Sequence, residues 1–489
     1  MADPHVPESL DPVDWNELRS LAHRAVDDGL DYLRTVRDRP VWQPTPPEVL
    51  ERLHGPAPRE PVGAPAAYRD FQELVLPYTM GNAHPRFWAW FMGNGTPFAA
   101  VADFLAAIVN PNMGGGNHAC NQVEAQVVDW CREIVGFPRE SSGLLVSGGS
   151  MANFVGLTVA RNSLPGLDIR GAGLRGVPQQ LLSYASAEVH SCVQKAIEAL
   201  GLGAQSLRKV PVRPDYSIDS AALECMIAED RAAGHRPFCV IGNAATINTG
   251  AVDDLDALAT ICAREGLWFH VDGAIGALLA LAPGARHLVR GMERADSVTL
   301  DLHKWLHMPF EAACAIVRNR TAHREAFALT PEYLEHTERG IAAGHLWFSD
   351  YGLQLSRGFK ALKVWLSIKE HGLDRFGRLI DRNIAQAREL QGLLGARRGF
   401  ALMAPVLTNI VCFRYEPHGM AEAELNAFNE ELLVRLHESG VAAPSYTTLQ
   451  GRYCLRAAIV NHRTVSEDLG MMVDELERLA LAMLAERKG

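Results

Sequence analysis

Four stretches of the chain each end an apolar run on a residue able to do chemistry. In DSVTLDLHKWL (residues 296–306) the run closes in a polar turn bearing His303 and Lys304. A lysine held just behind a buried strand is desolvated, which lowers its pKa and leaves an amine that an aldehyde can capture as a Schiff base. Taken alone, the pattern describes an exposed loop lysine more often than a reactive one. In WFHVDGA (268–274) the run delivers Asp272. A pyridine nitrogen buried beside a carboxylate stays protonated, and a protonated ring is the better electron sink for a carbanion at an α carbon. An aspartate capping the following helix would look the same.

The third stretch, GLLVSGGSMA (143–152), sets Gly149 and Ser150 between a strand-like run and a helical one. Backbone amides at such a helix start, with a serine hydroxyl beside them, suit a phosphate. A plain strand-to-helix turn is the commoner use of paired glycines. Neither a Walker loop nor GxGxxG is present. The fourth, YASAEVHSCVQK (184–195), puts His190 at a helix start, where a flat imidazole can stack on a cofactor ring and hydrogen-bond a substrate carboxylate. A lone histidine is more often a surface or capping residue. What changes the reading is joint occurrence: an amine, a buried carboxylate, an anion cradle and a flat ring are the parts of a pyridoxal 5'-phosphate (PLP) site.

The elements that must hold these residues read as α/β. Short apolar runs at 144–146, 181–184, 207–212, 238–241, 268–271, 297–300 and 313–317 alternate with helix-length segments. That alternation predicts a mostly parallel seven-stranded sheet covered by helices, with ligands beyond the carboxyl ends of its strands. A helix is predicted from about Trp15 to Val36, followed by a proline-rich arm positioned to embrace a second subunit. Further strands at 409–415 and 453–459 predict a smaller C-terminal α+β domain. The resulting division is a helical, dimer-forming arm over 1–90, a large PLP-binding domain over 91–372 and a small domain over 373–489.

Composition narrows the class further. With 48% hydrophobic and 21% charged residues in 489, the chain reads as a soluble globular protein. A net charge of −10, with scattered Lys and Arg, argues against nucleic acid as a partner. The acidic, proline-containing N-terminus lacks the basic start and apolar run of a secretory signal, and no apolar run is long enough for a membrane span. Nine cysteines without CxxC pairs predict reduced thiols, hence a cytoplasmic location and no metal site.

The order HPRFWAWF (84–91), SGGS (147–150), AEVHS (187–191), HVDGA (270–274) and LHKW (302–305) resembles the group II PLP-dependent decarboxylases, the aromatic-L-amino-acid decarboxylase family. The resemblance runs from about residue 39 through the helix carrying Lys363 and fades toward the C-terminus. It implies PLP-dependent transferase fold type I and a homodimer with shared active sites. Residue by residue, it implies that Lys304 forms the Schiff base, Asp272 pairs with the ring nitrogen and His190 stacks over the ring. Gly149, Ser150 and His303 would surround the phosphate, with Thr246 nearby. Arg357 matches a recurrent arginine of the family.

The departures bear on substrate and product. Where the family carries a loop tyrosine that assists protonation, EHTERGIAAGHLWFSDYGLQL (335–355) aligns Trp347 or Phe348, with His345 as a substitute acid on the same loop. Loss of that hydroxyl is associated in the family with oxygen-dependent decarboxylation and deamination to an aldehyde. MGGGNHACN (113–121) replaces the usual bulky pocket lining and is read as an enlarged or loosened wall, leaving Trp88, Trp90 and Phe91 as aromatic surface. Ile247, Gly273 and Asp301 also depart from the pattern. The expected reaction is decarboxylation of an L-amino acid, aromatic favoured modestly, to the amine and carbon dioxide. Aldehyde formation is the alternative.

Overall fold

The apolar runs between residues 143 and 318 pair into one sheet. The computed structural model describes residues 9–329, 338–344 and 346–487. Its strands are β1 (Phe87–Trp88), β2 (Ser142–Val146), β3 (Leu181–Ser186), β4 (Leu207–Val210), β5 (Arg236–Asn243), β6 (Trp268–Asp272), β7 (Ser297–Asp301), β8 (Ala313–Val317), β9 (Phe400–Leu402), β10 (Ile410–Tyr415), β11 (Ala443–Leu449) and β12 (Arg452–Ala458).

The large sheet has the order β2-β8-β7-β6-β5-β3-β4. Neighbours from β7 across to β4 are parallel, and β8 alone runs against both β7 and β2. Its central strands are buried throughout, as continuous apolar runs covered on both faces should be. Register places Asn243 beside Asp272 and Asp272 beside Thr299. The last residues of β5, β6 and β7 are therefore Asn243, Asp272 and Asp301, all polar and all at one edge. That edge is where such sheets bind ligands.

Local chemistry fixes the helices that follow. The helix Gly149–Asn162 packs on β7 and β8. The helix Leu255–Glu265 starts at Asp254, whose carboxylate accepts the Ala257 amide, and ends on Gly266 at φ 63°, a left-handed stop that glycine adopts at no steric cost. Seven of the nine cysteines are buried, and all nine are free thiols.

A second, five-stranded sheet has the order β1-β11-β12-β10-β9. The helices Leu373–Gly395, Glu422–Glu438 and Ser466–Glu486 supply much of its separate core, with Phe413, Phe428, Leu455 and Leu476 buried together. β1 pairs in parallel with β11, so a segment preceding the large sheet is built into the C-terminal one. The N-terminal helix spans Trp15–Arg34 and buries only Leu21 within the chain. No helix among the described residues is long and apolar enough to cross a membrane.

Candidate active site

The carboxyl ends of β2, β3, β5, β6 and β7 open onto a cavity of about 580 Å³. Gly149, Ser150, His190, Thr246, Asp272, His303, Lys304 and Trp90 all line it. They arrive from separate loops because parallel strands bring all their carboxyl ends to one side.

One end of the cavity is built for an anion. The helix Gly149–Asn162 begins there with no side chain capping it, so its first amides and dipole point at the space unopposed. A Cβ on Gly149 would stand 3.0 Å from the Ala274 Cβ and 3.0 Å from Asp301 Oδ2, so a side chain there would crowd both neighbours at the helix start. His303 Nδ1 accepts the Ala312 amide at 3.2 Å, which leaves the neutral ring's proton on Nε2. Burial lowers the His303 pKa, with Asp301 pulling the other way.

Asp272 sits deeper, 7% exposed. Its Oδ1 accepts the Ala274 amide at 3.1 Å and its Oδ2 accepts Asn153 Nδ2–H at 3.0 Å. Burial pushes its pKa up, opposed by the Lys304 ammonium, the Ala274 amide and His190. A desolvated carboxylate of this kind favours a cation against it, and a protonated ring nitrogen is one.

Lys304 lies in the short helix Leu302–Trp305 directly after β7, with Nζ 2.9 Å from Asp301 Oδ2. The other Asp301 oxygen is buried without a hydrogen-bond partner. His190 caps the helix Ser191–Ala199, its Nδ1 accepting the Cys192 amide at 3.2 Å. Desolvation lowers its pKa, Lys304 adds to that, and Asp272 and Asp301 counter it. Thr246 is buried, 3.2 Å from the Thr249 hydroxyl. Trp88 is core, Phe91 is buried but lines the cavity, and Trp90, at φ 55°, is 53% exposed and also lines it.

Other expected residues lie elsewhere. Phe348 is buried under the Arg357 guanidinium, 5.4 Å from its ring centroid, and neither lines the cavity. Arg357 donates to the carbonyls of Met113 and Leu145 at 2.6 and 2.7 Å and pairs with Glu124. It joins three segments of chain. His345 lies outside the described residues. The glycines of 113–121 do not leave open space: a Cβ on Gly115 would fall 2.2 Å from the Trp347 ring, and one on Gly114 2.3 Å from the Leu355 carbonyl. They are small because Ile341, Trp347 and Leu355 pack directly on them. None of them lines this cavity.

Sequence reasoning missed four residues here. Phe310 lies against His303 with centroids 4.5 Å apart, and Asn243 and Phe310 both line the cavity. Asn153 supports Asp272 from behind. Arg456 is buried, donates to the carbonyls of Trp90 and Asn248 at 2.7 and 3.1 Å, and leaves Nη2 unpartnered. Its only sequence signal was a charge inside an apolar strand, which the pattern rules treat as an error or a function.

Known proteins match this chain at both levels. A family model, the pyridoxal-dependent decarboxylase conserved domain, matches residues 46–416. The chain is 34% identical over 468 residues to an aromatic-L-amino-acid decarboxylase of Bacillus atrophaeus, covering 95% of each. It is 29% identical to a phenylacetaldehyde synthase of Arabidopsis thaliana, covering 92% of this chain and 93% of that one. The crystal structure of Oryza sativa TDC with PLP and tryptamine superposes with a TM-score of 0.88 at 25% identity, covering 97% of this chain and all of that one.

Proposed function

The chain belongs to the pyridoxal-dependent decarboxylase family, and from that premise we propose that it decarboxylates an aromatic L-amino acid to the amine at the 580 Å³ cavity. Membership makes it a PLP-dependent amino acid carboxy-lyase of fold type I. The substrate class, the product and the residue roles are our reading. The observation that carries it is the convergence of Lys304, Asp272 and an uncapped helix N-terminus on one cavity walled by Trp90 and Phe310.

In this reading Lys304 would hold the cofactor through its aldehyde, Asp272 would keep its ring nitrogen protonated, and His190 would pack against its ring. Gly149, Ser150 and His303 hold the phosphate, with Thr246 beside them. The cofactor, when bound, supplies the electron sink for the charge left by carbon dioxide loss. Trp90 and Phe310 shed water from the reacting carbon, and Lys304 Nζ, paired with Asp301, is placed to return a proton to it. We further read the chain as a cytoplasmic homodimer with shared active sites, divided into the arm, large domain and small domain given above. In that dimer Phe348 and Arg357 would act through the loop they steady.

Trp347 and Phe348 motivate a second reading, since neither offers a hydroxyl where the family carries one. The amino acid, dioxygen and water would then give an aldehyde, carbon dioxide, ammonia and hydrogen peroxide. The similarity to the phenylacetaldehyde synthase is in keeping with it. Purified holoenzyme given a panel of amino acids under air and under argon decides between them by mass spectrometry. We expect oxygen-independent amine from an aromatic substrate. Aldehyde and peroxide under air only would establish the second reading, and no product from any aromatic, acidic or imidazole amino acid would sink both.

A further inference from the structure

Behind Asp272 runs a line of buried polar groups that the proposed reaction does not use. Trp268 Nε1–H donates to Ser297 Oγ at 2.8 Å, and Ser297 Oγ meets His270 Nδ1 at 2.7 Å. His270 Nε2 meets Asn153 Oδ1 at 2.7 Å, and Asn153 Nδ2–H donates to Asp272 Oδ2 at 3.0 Å. Thr299 donates a second hydrogen bond to Asn153 Oδ1 at 3.0 Å. His270, Asn153, Thr299 and Ser297 are all at most 1% exposed.

Only one proton order satisfies this line. The ionised Asp272 carboxylate can only accept, so the Asn153 amide N–H faces it and the Asn153 carbonyl oxygen faces His270 Nε2. Ser297 Oγ takes the indole N–H on a lone pair and gives its own hydrogen to His270 Nδ1. The neutral ring then carries its proton on Nε2 and donates to the Asn153 carbonyl oxygen. The opposite tautomer of His270 would reverse the amide and set a carbonyl oxygen against the carboxylate. Burial holds the His270 pKa near 3, so the ring stays neutral.

An independent feature agrees. Gly156 sits inside the helix Gly149–Asn162, where glycine is unfavourable. A Cβ there would stand 2.7 Å from His270 Cε1, 2.8 Å from Nδ1 and 3.2 Å from Ser297 Oγ. The helix gives up a side chain so that the imidazole can lie against it.

We propose that Trp268, Ser297, His270 and Asn153 are positioning residues whose fixed proton order holds Asp272 as a pure acceptor facing the cofactor's ring nitrogen. The inference rests on the reading that Asp272 faces that nitrogen. Its consequence is that ring-nitrogen basicity in the holoenzyme is set in part by Ser297, which never touches the cofactor.

Holoenzyme reconstituted with ring-15N-labelled PLP reports that protonation directly by NMR across pH. We expect Asn153→Leu, Ser297→Ala and Gly156→Ala to lower the ring nitrogen's pKa by about one to two units, the value of a lost charge-assisted hydrogen bond. Thr299→Val removes a bond from the same buried group without altering the proton order and should leave it unchanged. Should Asn153→Leu fail to fold, Ser297→Ala and Gly156→Ala decide. If these match the wild type, or if Thr299→Val shifts as they do, the proposal is overturned. A wild type whose ring nitrogen is unprotonated, or that retains no cofactor on Lys304, would instead overturn the reading beneath it.

Discussion

Asp301 places a carboxylate 2.9 Å from Lys304 Nζ and beside Gly149, at the mouth of the anion cradle. A phosphate there would share the space with a second negative group. Replacing Asp301 by Asn removes that repulsion and is expected to tighten PLP binding by about tenfold, the effect of roughly 1.4 kcal/mol. Titrating the apoprotein and following cofactor absorbance would check this. Pyridoxal, which lacks the phosphate, should bind both proteins alike, and equal tightening for both ligands would point away from phosphate repulsion. Like-charged neighbours of this kind are invisible in LDLHKW, because Asp301 and Gly149 are 152 positions apart in the chain.

Among the elements, the segment entering the helix Ala361–His371 is held by one buried ion pair. Arg357 and Glu124 are 4% and 0% exposed at the side chain, and burial raises the Glu124 pKa against the pull of Arg357. Removing one partner strands a buried charge. Arg357→Met is expected to cost about 3–5 kcal/mol, seen as a lower denaturant midpoint, whereas breaking a surface pair such as Arg435–Glu486 should move that midpoint little. A loss no larger than the surface pair's would mean that Glu124 is held uncharged by other means. The seven strands of the large sheet were legible as apolar runs. β9 and β11 were not: β9 has three residues, and β11 interleaves serine and threonine, so their strand character comes from pairing with β10 and β12 rather than from composition.

At the scale of the molecule, the helix Pro97–Val109 leaves Phe98, Phe104, Leu105, Ile108 and Val109 exposed, Ile108 by 69%. A contiguous apolar face on a helix calls for a covering partner, and the proposed dimer supplies one. Ile108→Glu should shift the protein to monomer in size-exclusion chromatography and, with the active sites shared as proposed above, abolish activity. A dimer that persists with full activity would place the interface elsewhere.

Acid sensitivity also belongs to the whole fold. Burial holds His270 and His323 near pKa 3, so their contribution is present above pH 6.5 and is lost as pH falls toward 3. Buried Asp253, raised to about 6, acts oppositely: its contribution is present below 3.8 and is lost as pH rises through 6. His84, lowered to about 4, and His462, lowered to about 3, act in the same direction as the two histidines, so four histidines stand against Asp253 and stability falls as pH drops from 6 to 4. Urea midpoints measured across that window should fall, and a rising midpoint would contradict the buried neutral state of the histidines.

What the sequence determined by itself was the seven strands of the large sheet, their mostly parallel character and the residue types at their ends. Apolar runs and turn residues are local, and the chemistry of an amine, a carboxylate or an imidazole does not depend on its neighbours to be recognised. Tertiary structure alone decided which of them meet. It brought Lys304, Asp272 and His190 to one cavity, packed Trp347 onto Gly115, and set Asn153, His270 and Ser297 in line behind Asp272. Those contacts join residues far apart in the chain, and their distances exist only once the strands have taken their register.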